Sequence, residues 1–251
     1  MPSQLSKHLL PLLLVTLILL SSGCSMTPSV DDGERRPDPW EGMNRSINSF
    51  NEKLDEAVLK PVAKGYQAIT PEPVDKGISN FFSNLDDVTV FINDLFQLKL
   101  IQGTSDLARF TVNSTVGIFG LFDVAEMIGL EKHNEDFGQT LGFWGAPEGP
   151  YLVLPFFGPS TLRDGPSKVL VDWRTEPEFY VDDTAVKYGL YSLDFIDTRA
   201  DLLHASNIVE QSSTDAYIFT REAYLQRRRN LVYDGHPPEP EGESMDEFLD
   251  L

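Results

Sequence analysis

Residues 133–164 read H-N-E-D-F-G-Q-T-L-G-F-W-G-A-P-E-G-P-Y-L-V-L-P-F-F-G-P-S-T-L-R-D, and no long helix runs through that spacing. Gly138, Gly142, Gly145, Gly149 and Gly158 are interleaved with Pro147, Pro150, Pro155 and Pro159. Glycine admits φ > 0 and close backbone approach, whereas proline fixes φ and lacks an N–H. Yet Phe143, Trp144, Tyr151, Leu152, Val153, Leu154, Phe156 and Phe157 make the stretch strongly apolar, unlike a water-facing loop. The pattern predicts an ordered apolar hairpin set between helical segments.

The flanking segments carry helical periodicity. Asp38-Pro39-Trp40-Glu41 reads as a helix start, with Asp38 as cap, Pro39 at the first position and Glu41 three residues on. Trp40, Met43, Ile47, Phe50, Leu54 and Val58 follow at spacings of three or four, and Lys60-Pro61 is expected to end that helix. A second helix starts at Thr70-Pro71, with Val74, Ile78, Phe81 and Leu85 in step. Further helices are expected from Thr104, over 124–128 with Gly129 as the stop, from Ser160 as cap, from Asp183 as cap, and from Ser212-Ser213-Thr214 to Gly235. Adjacent pairs such as Phe81-Phe82 and Leu95-Phe96 widen the apolar faces beyond one narrow seam. Two readings fit these short, wide-faced helices. One is a compact soluble helical domain. The other is a set of helices lying in a bilayer, apolar outside and more polar within. Strict alternation is missing, which argues against a barrel.

The N-terminus bears on that choice. Lys7 and His8 precede the apolar run 9–20, interrupted by Pro11 and Thr16, which suits a signal peptide better than a membrane span. Ser21-Ser22-Gly23 then leads to Cys24, the one cysteine of the chain, in the manner of a lipobox with cleavage before the cysteine and lipid on its sulfur. Ser21 departs from the aliphatic residue usual there, and an ordinary secretory signal is the alternative. Residues 24–37 have no apolar period and read as a flexible tether. Residues 236–251 are rich in proline and acid and read as a disordered tail.

Net charge narrows the partners. The chain carries −19 formally, and loss of residues 1–23 removes Lys7 alone, leaving 19 basic against 39 acidic residues. Such a chain is repelled by nucleic acid, so no nucleic-acid partner is expected.

Candidate chemistry is sparse. Gly158-Pro159-Ser160-Thr161-Leu162 imitates a nucleophile elbow but has Leu162 where the last glycine belongs, so Ser160 reads as a helix cap. His133 beside Glu131, Glu135 and Asp136 reads as a loop residue rather than a metal ligand, and no catalytic or metal residue is assigned. Arg227-Arg228-Arg229 fits either lipid phosphate or the C-terminal dipole of the last helix. No phosphate-binding glycine motif appears, so neither a nucleotide site nor another cofactor is expected.

The motifs D-P-W-E-G-M-N-R (38–45), F-N-x-x-L-D (50–55), L-K-P-V-A-K-G-Y (59–66), N-F-F-S-N-L-D-D-V (80–88), R-F-T-V-N-S-T-x-G (109–117), D-F-G-Q-T-L-G-F-W-G (136–145), G-P-Y-L-V-L-P (149–155), G-P-S-T-L-R-D (158–164) and Y-L-Q-R-R-R-x-L-V-Y-D-G (224–235), in this order, resemble the VacJ/MlaA lipoproteins of Gram-negative outer membranes. The resemblance covers 38–235. The departures are Asp75-Lys76, where a basic pair is usual, and the acidic tail.

The resemblance implies an all-α, ring-like bundle of amphipathic helices embedded in the outer membrane from the periplasmic side and anchored through Cys24. It implies an amphipathic channel that removes mislocalised phospholipid from the outer leaflet, a porin trimer as neighbour, and a periplasmic lipid carrier serving an ATP-driven inner-membrane complex. No enzymatic activity is implied. Gly142, Gly145 and Gly149 resemble the family's flexible glycine segment and are the hinge candidates. Phe143, Trp144, Tyr151, Leu154, Phe156 and Phe157 are the candidates for lipid contact. A structural lipoprotein that braces a porin without moving lipid is the alternative function, with a Ser160 lipase a distant third.

Overall fold

The computed structural model describes residues 38–212 and 215–238. The expected signal peptide, the tether with Cys24, and the tail from residue 239 on lie outside the described residues.

Helix α1 spans Glu41–Leu54. Asp38 does not cap it through its side chain. Its carboxylate instead accepts from Asn44 Nδ2 at 3.0 Å and from the Tyr217 hydroxyl, tying the start of the domain to its last helix. Nor does the helix end at Lys60-Pro61. It passes through one π-helical turn, Asp55–Leu59, into α2, Lys60–Ile69. There the Lys60 N–H reaches back to the Asp55 carbonyl, and the widened turn accommodates a proline that an unbroken α-helix would exclude. A second π turn, Lys168–Asp172, follows Pro166.

Helix α3, Glu72–Phe96, has 25 residues and is not one of the short helices expected. Helix α4, Leu100–Thr115, packs on it. Helix α5, Val124–Met127, is capped by Asp123 and stopped at Gly129, where φ is +87°.

The Gly/Pro-rich stretch is only half hairpin. It opens with α6, Phe137–Phe143, whose N-terminus Asp136 caps through the Gln139 N–H at 2.8 Å. Gly138 and Gly142 therefore lie within a helix. The hairpin itself is β1, Tyr151–Leu154, antiparallel to β2, Gly158–Thr161, with Tyr151 opposite Thr161. Ser160 lies in β2 opposite Leu152 and caps nothing. Thr161 Oγ1 accepts the Asp164 N–H at 3.1 Å where α7, Asp164–Ser167, begins.

After the second π turn come α8, Trp173–Thr175, and a 3-10 turn, Pro177–Tyr180. Helix α9, Thr184–Asp201, is capped by Asp183 as expected. Helix α10 is Leu203–Ser212, and α11 is Ala216–Val232. The cap of α11 is Asp215, because its carboxylate takes the Tyr217 and Ile218 N–H groups, whereas Ser212 is the last residue of α10.

Helix α1 supports the hairpin by an unusual means. Asn44 Nδ2 donates to the Tyr151 carbonyl at 3.0 Å and its Oδ1 accepts the Val153 N–H at 2.9 Å. Asn51 repeats the pattern with the Leu154 carbonyl and the Phe156 N–H. Seven helical residues rise about 10.5 Å and three strand residues about 10 Å, so the two asparagines keep pace with the strand along its length. They satisfy an edge that would otherwise be open for pairing. Phe50 also packs edge-on against Phe156, with ring centroids 5.6 Å apart.

The apolar clusters are small: Tyr151, Val153, Tyr217 and Leu225 where β1 meets α11, and Ala63, Ala200 and Leu203 where α2 meets α9 and α10. No described helix is long and apolar enough to cross a membrane.

Candidate functional site

The interior is largely polar, and large apolar side chains crowd the exterior. Among the described residues, 21 buried polar or charged residues stand against 10 buried apolar ones. Helix α3 turns Asn84, Asp87, Thr89, Asn93 and Asp94 inward while Leu95 and Phe96 are exposed. Helix α4 buries Asp106, Arg109 and Asn113 and exposes Ile101 and Leu107. The loop beyond it exposes Ile118, Phe119 and Phe122, two of them at positive φ. A water-soluble domain does the reverse. Of the two readings of these helices, this polarity is the one expected of helices apolar outside and more polar within.

Charged pairs hold this interior together. Arg109, 1% exposed, donates to Asp123 at 2.8 Å and to the Leu130 carbonyl, with Asp87 at 3.8 Å. Lys132 bridges Asp87 at 2.6 Å and Asp86 at 3.2 Å. Glu135 takes Lys99 at 2.8 Å and Gln97 at 2.7 Å. Burial and the neighbouring Asp106 push the Asp94 carboxyl up to about 8. His133 pairs with Asp106 at 3.0 Å.

The arginine triplet divides by face. Arg228 is buried and forks between Asp136 and Asp164, the latter at 2.9 Å; Arg229 donates to the Pro238 carbonyl; Arg227 is exposed. Burial pushes the Asp136 carboxyl up, but the Arg228 guanidinium outweighs that and holds it below the usual range.

Several cavities open among the described residues, one of them of about 470 Å³ beside Arg109, Asp123 and Lys132. An acidic cleft of about 310 Å³ lies between α3, the 3-10 turn and α9. A mixed cavity of about 280 Å³ is lined by Asp86, Glu135, Asp136, Arg227 and Arg228 among others. An apolar one of about 460 Å³ is lined by Phe137, Leu141, Pro147, Gly149, Leu162 and Leu170 among others, beneath the glycine segment.

The residues singled out in the sequence fall into two groups. Phe143, Trp144, Phe156 and Phe157 are exposed, with Trp144 62% accessible and its indole N–H donating to the Phe96 carbonyl at 3.0 Å. Leu154 is half-buried. Tyr151, in contrast, is 3% exposed and packs among Tyr217 and Tyr224, so it faces the core rather than a lipid surface. Gly145 and Gly149 adopt φ of +86° and +72°. Gly142 does not: it is helical, and a Cβ there would sit 2.8 Å from Arg163 Nη1 and 2.9 Å from Val232 Cγ1.

The inward polar face of α3 was missed in the sequence, although Asn84, Asp87 and Asp94 at helical spacing are its signal. The pairing of Arg228 had no comparable signal, because its partners lie 64 and 92 residues away.

Residues 36–231 match the MlaA lipoprotein family. The chain is 36% identical over 223 residues to the intermembrane phospholipid transport system lipoprotein MlaA of Escherichia coli K12, covering 85% of this chain and 84% of that one. It is 32% identical over 250 residues to the protein of the same description from Haemophilus influenzae, covering 97% and 98%. A structure solved in work on the structural basis for maintenance of bacterial outer membrane lipid asymmetry superposes with a TM-score of 0.67 at 36% identity, covering 78% of this chain and all of the other.

Proposed function

We propose that this chain, which belongs to the MlaA lipoprotein family, is an intermembrane phospholipid transport lipoprotein that maintains lipid asymmetry. The observation that carries the reading is the inverted polarity: buried Asp, Asn, Gln and Arg under exposed Phe, Leu, Ile and Trp. Bringing two sixteen-carbon chains fully into water costs roughly 25 kcal/mol at about 0.8 kcal/mol per CH₂. A polar passage through an apolar protein lowers that barrier by sheltering the headgroup while the chains stay against apolar side chains. The helices satisfy their own backbone groups, as any structure in lipid must.

In the finer reading, Cys24 carries the lipid that anchors the protein in the outer membrane. The domain sits beside a porin trimer, draws misplaced phospholipid from the outer leaflet and yields it to a periplasmic carrier. Phe143, Trp144, Phe156 and Phe157 meet acyl chains. Gly145 and Gly149, both at positive φ, are the places where the segment over the apolar cavity bends; Gly142 belongs to the rigid side of that hinge. Deleting the gene tests the reading. Surface-exposed phospholipid rises with porin levels unchanged, and phospholipid co-purifies with the intact protein. An unchanged outer leaflet together with lipid-free protein overturns it.

A further inference from the structure

The acidic cleft collects Asp86, Glu176, Glu178, Asp194, Asp197 and Asp201. Asp86 is met by Lys132 at 3.2 Å, and Asp197 accepts the Tyr66 hydroxyl at 2.6 Å and the Ser79 hydroxyl at 2.8 Å. Among the described residues, no ion pair reaches the other four. Burial first, and then each other's charge, push Glu176 up to about 7 and Asp194 up to about 6, and raise Glu178 and Asp201 as well. Glu178 is the most telling of them. It is 8% exposed, it lines the cleft, and its Oε2 meets no donor. Buried acceptors are nearly always paired in folded chains, so an oxygen held this way is matched to a donor from elsewhere.

Asp86 also borders the mixed cavity, which places Arg227 on the other side of it. Arg228 in that cavity is committed to Asp136 and Asp164, whereas Arg227 is exposed and forms no ion pair among the described residues. The cavity's Gln139 is also buried, with an Oε1 that meets no donor. The unmatched buried groups here are acceptors, and a free guanidinium stands beyond them. The complement is a ligand with a cationic hydrogen-bond donor at one end and an anion at the other.

We propose that the acidic cleft receives the primary ammonium of a zwitterionic phospholipid headgroup, with Arg227, across Asp86, taking the phosphate. This rests on the phospholipid-transport reading above and adds a headgroup preference to it. An ethanolamine ammonium carries N–H donors for Glu178 Oε2 and its neighbours. A choline ammonium carries the charge but no N–H. A glycerol headgroup carries only the phosphate's negative charge and is repelled by the carboxylates. A divalent cation fits less well, since no three acidic, histidine or cysteine side chains among the described residues converge as metal ligands.

The experiment uses the full-length protein in a non-ionic detergent, with the dihexanoyl forms of phosphatidylethanolamine, phosphatidylcholine and phosphatidylglycerol as probes in calorimetric titrations. The expected order is ethanolamine, choline, glycerol, with the first bound about tenfold more tightly than the last, the scale of one charge-assisted hydrogen bond. Glu176→Gln/Glu178→Gln brings the three to near parity, without weaker phosphatidylglycerol binding and without a lower Tm. The exposed Arg227→Gln weakens all three to a similar degree. Equal affinities in the unaltered protein, or a preference that survives the double substitution, overturn the proposal and leave lipid transport standing. So does a preference abolished by magnesium chloride but not by sodium chloride of equal ionic strength, which marks a divalent-cation site instead. Binding of none of the three overturns the transport reading along with it.

Discussion

Asn44 is fully buried and bonds through one amide to two backbone groups of β1 and to Asp38. Asn44→Leu keeps the branching and heavy-atom count of the side chain and removes those three hydrogen bonds. The Tyr151 carbonyl and the Val153 N–H are left facing an apolar group, at about 1–3 kcal/mol each. The added apolar surface of leucine offsets a part of that, giving a net loss of about 3 kcal/mol. For a domain of this size the corresponding fall in Tm is about 6–12 °C. Asn51→Leu removes the equivalent bonds at the far end of β1, where they are only partly buried, so about 1 kcal/mol is expected. Thermal unfolding followed by circular dichroism in one detergent compares the two. If Asn44→Leu melts with the unaltered protein, or no lower than Asn51→Leu, the asparagines do not hold the hairpin and the edge-pairing argument fails.

Acid should stabilise the acidic cleft. Glu176 and Asp194 have folded values of about 7 and about 6, above their unfolded ones, so the folded state binds more protons. Tm is expected to fall as pH rises from about 4 to about 7, and Glu176→Gln/Asp194→Asn should flatten that slope; an unaltered slope in the double variant refutes the assignment. Cys24→Ala should leave an uncleaved or soluble precursor in membrane fractionation, and mature protein in the outer membrane would remove the lipobox reading. A cysteine at Pro147 paired with one on a neighbouring helix, with Cys24 still acylated, should raise surface phospholipid when oxidised and restore it on reduction. Equal asymmetry in both states, with complete crosslinking, leaves the glycine segment as scaffold.

Local signals were legible where the chain's own neighbours decide the structure. Asp183 caps α9, Gly129 ends α5 and Gly235 follows α11, because a carboxylate over free N–H groups or a residue at positive φ needs no distant partner. Signals failed where two residues compete for one role or where a break can be absorbed. Thr161 takes the cap assigned to Ser160, because Ser160 is already enclosed in β2. Asp215 caps α11, and Ser212 ends α10. Pro61 reads as a stop, yet a π turn two to six residues earlier lets the helix run on.

The polarity of the site is a different matter. A helical stripe of Phe, Leu and Ile fixes which residues share a face, but periodicity is the same whether that face meets a core or a bilayer. What breaks the symmetry is the opposite face. On α3 it carries Asn84, Asp87, Asn93 and Asp94, short polar side chains poorly suited to a solvated helix surface, where Lys, Glu and Arg have the higher helix propensity. On α4 it carries Asp106, Arg109 and Asn113. Arg109 lies close enough to bond Asp123, and Asn113 donates to the same carboxylate at 3.0 Å. Short acids, amides and an arginine at helical spacing are the composition of a buried hydrogen-bonded network, in which each charge needs a geometric partner. Such a network inside and aromatics outside are two halves of one constraint, since a helix that turns its polar face to its neighbours has only the apolar face left for its surroundings.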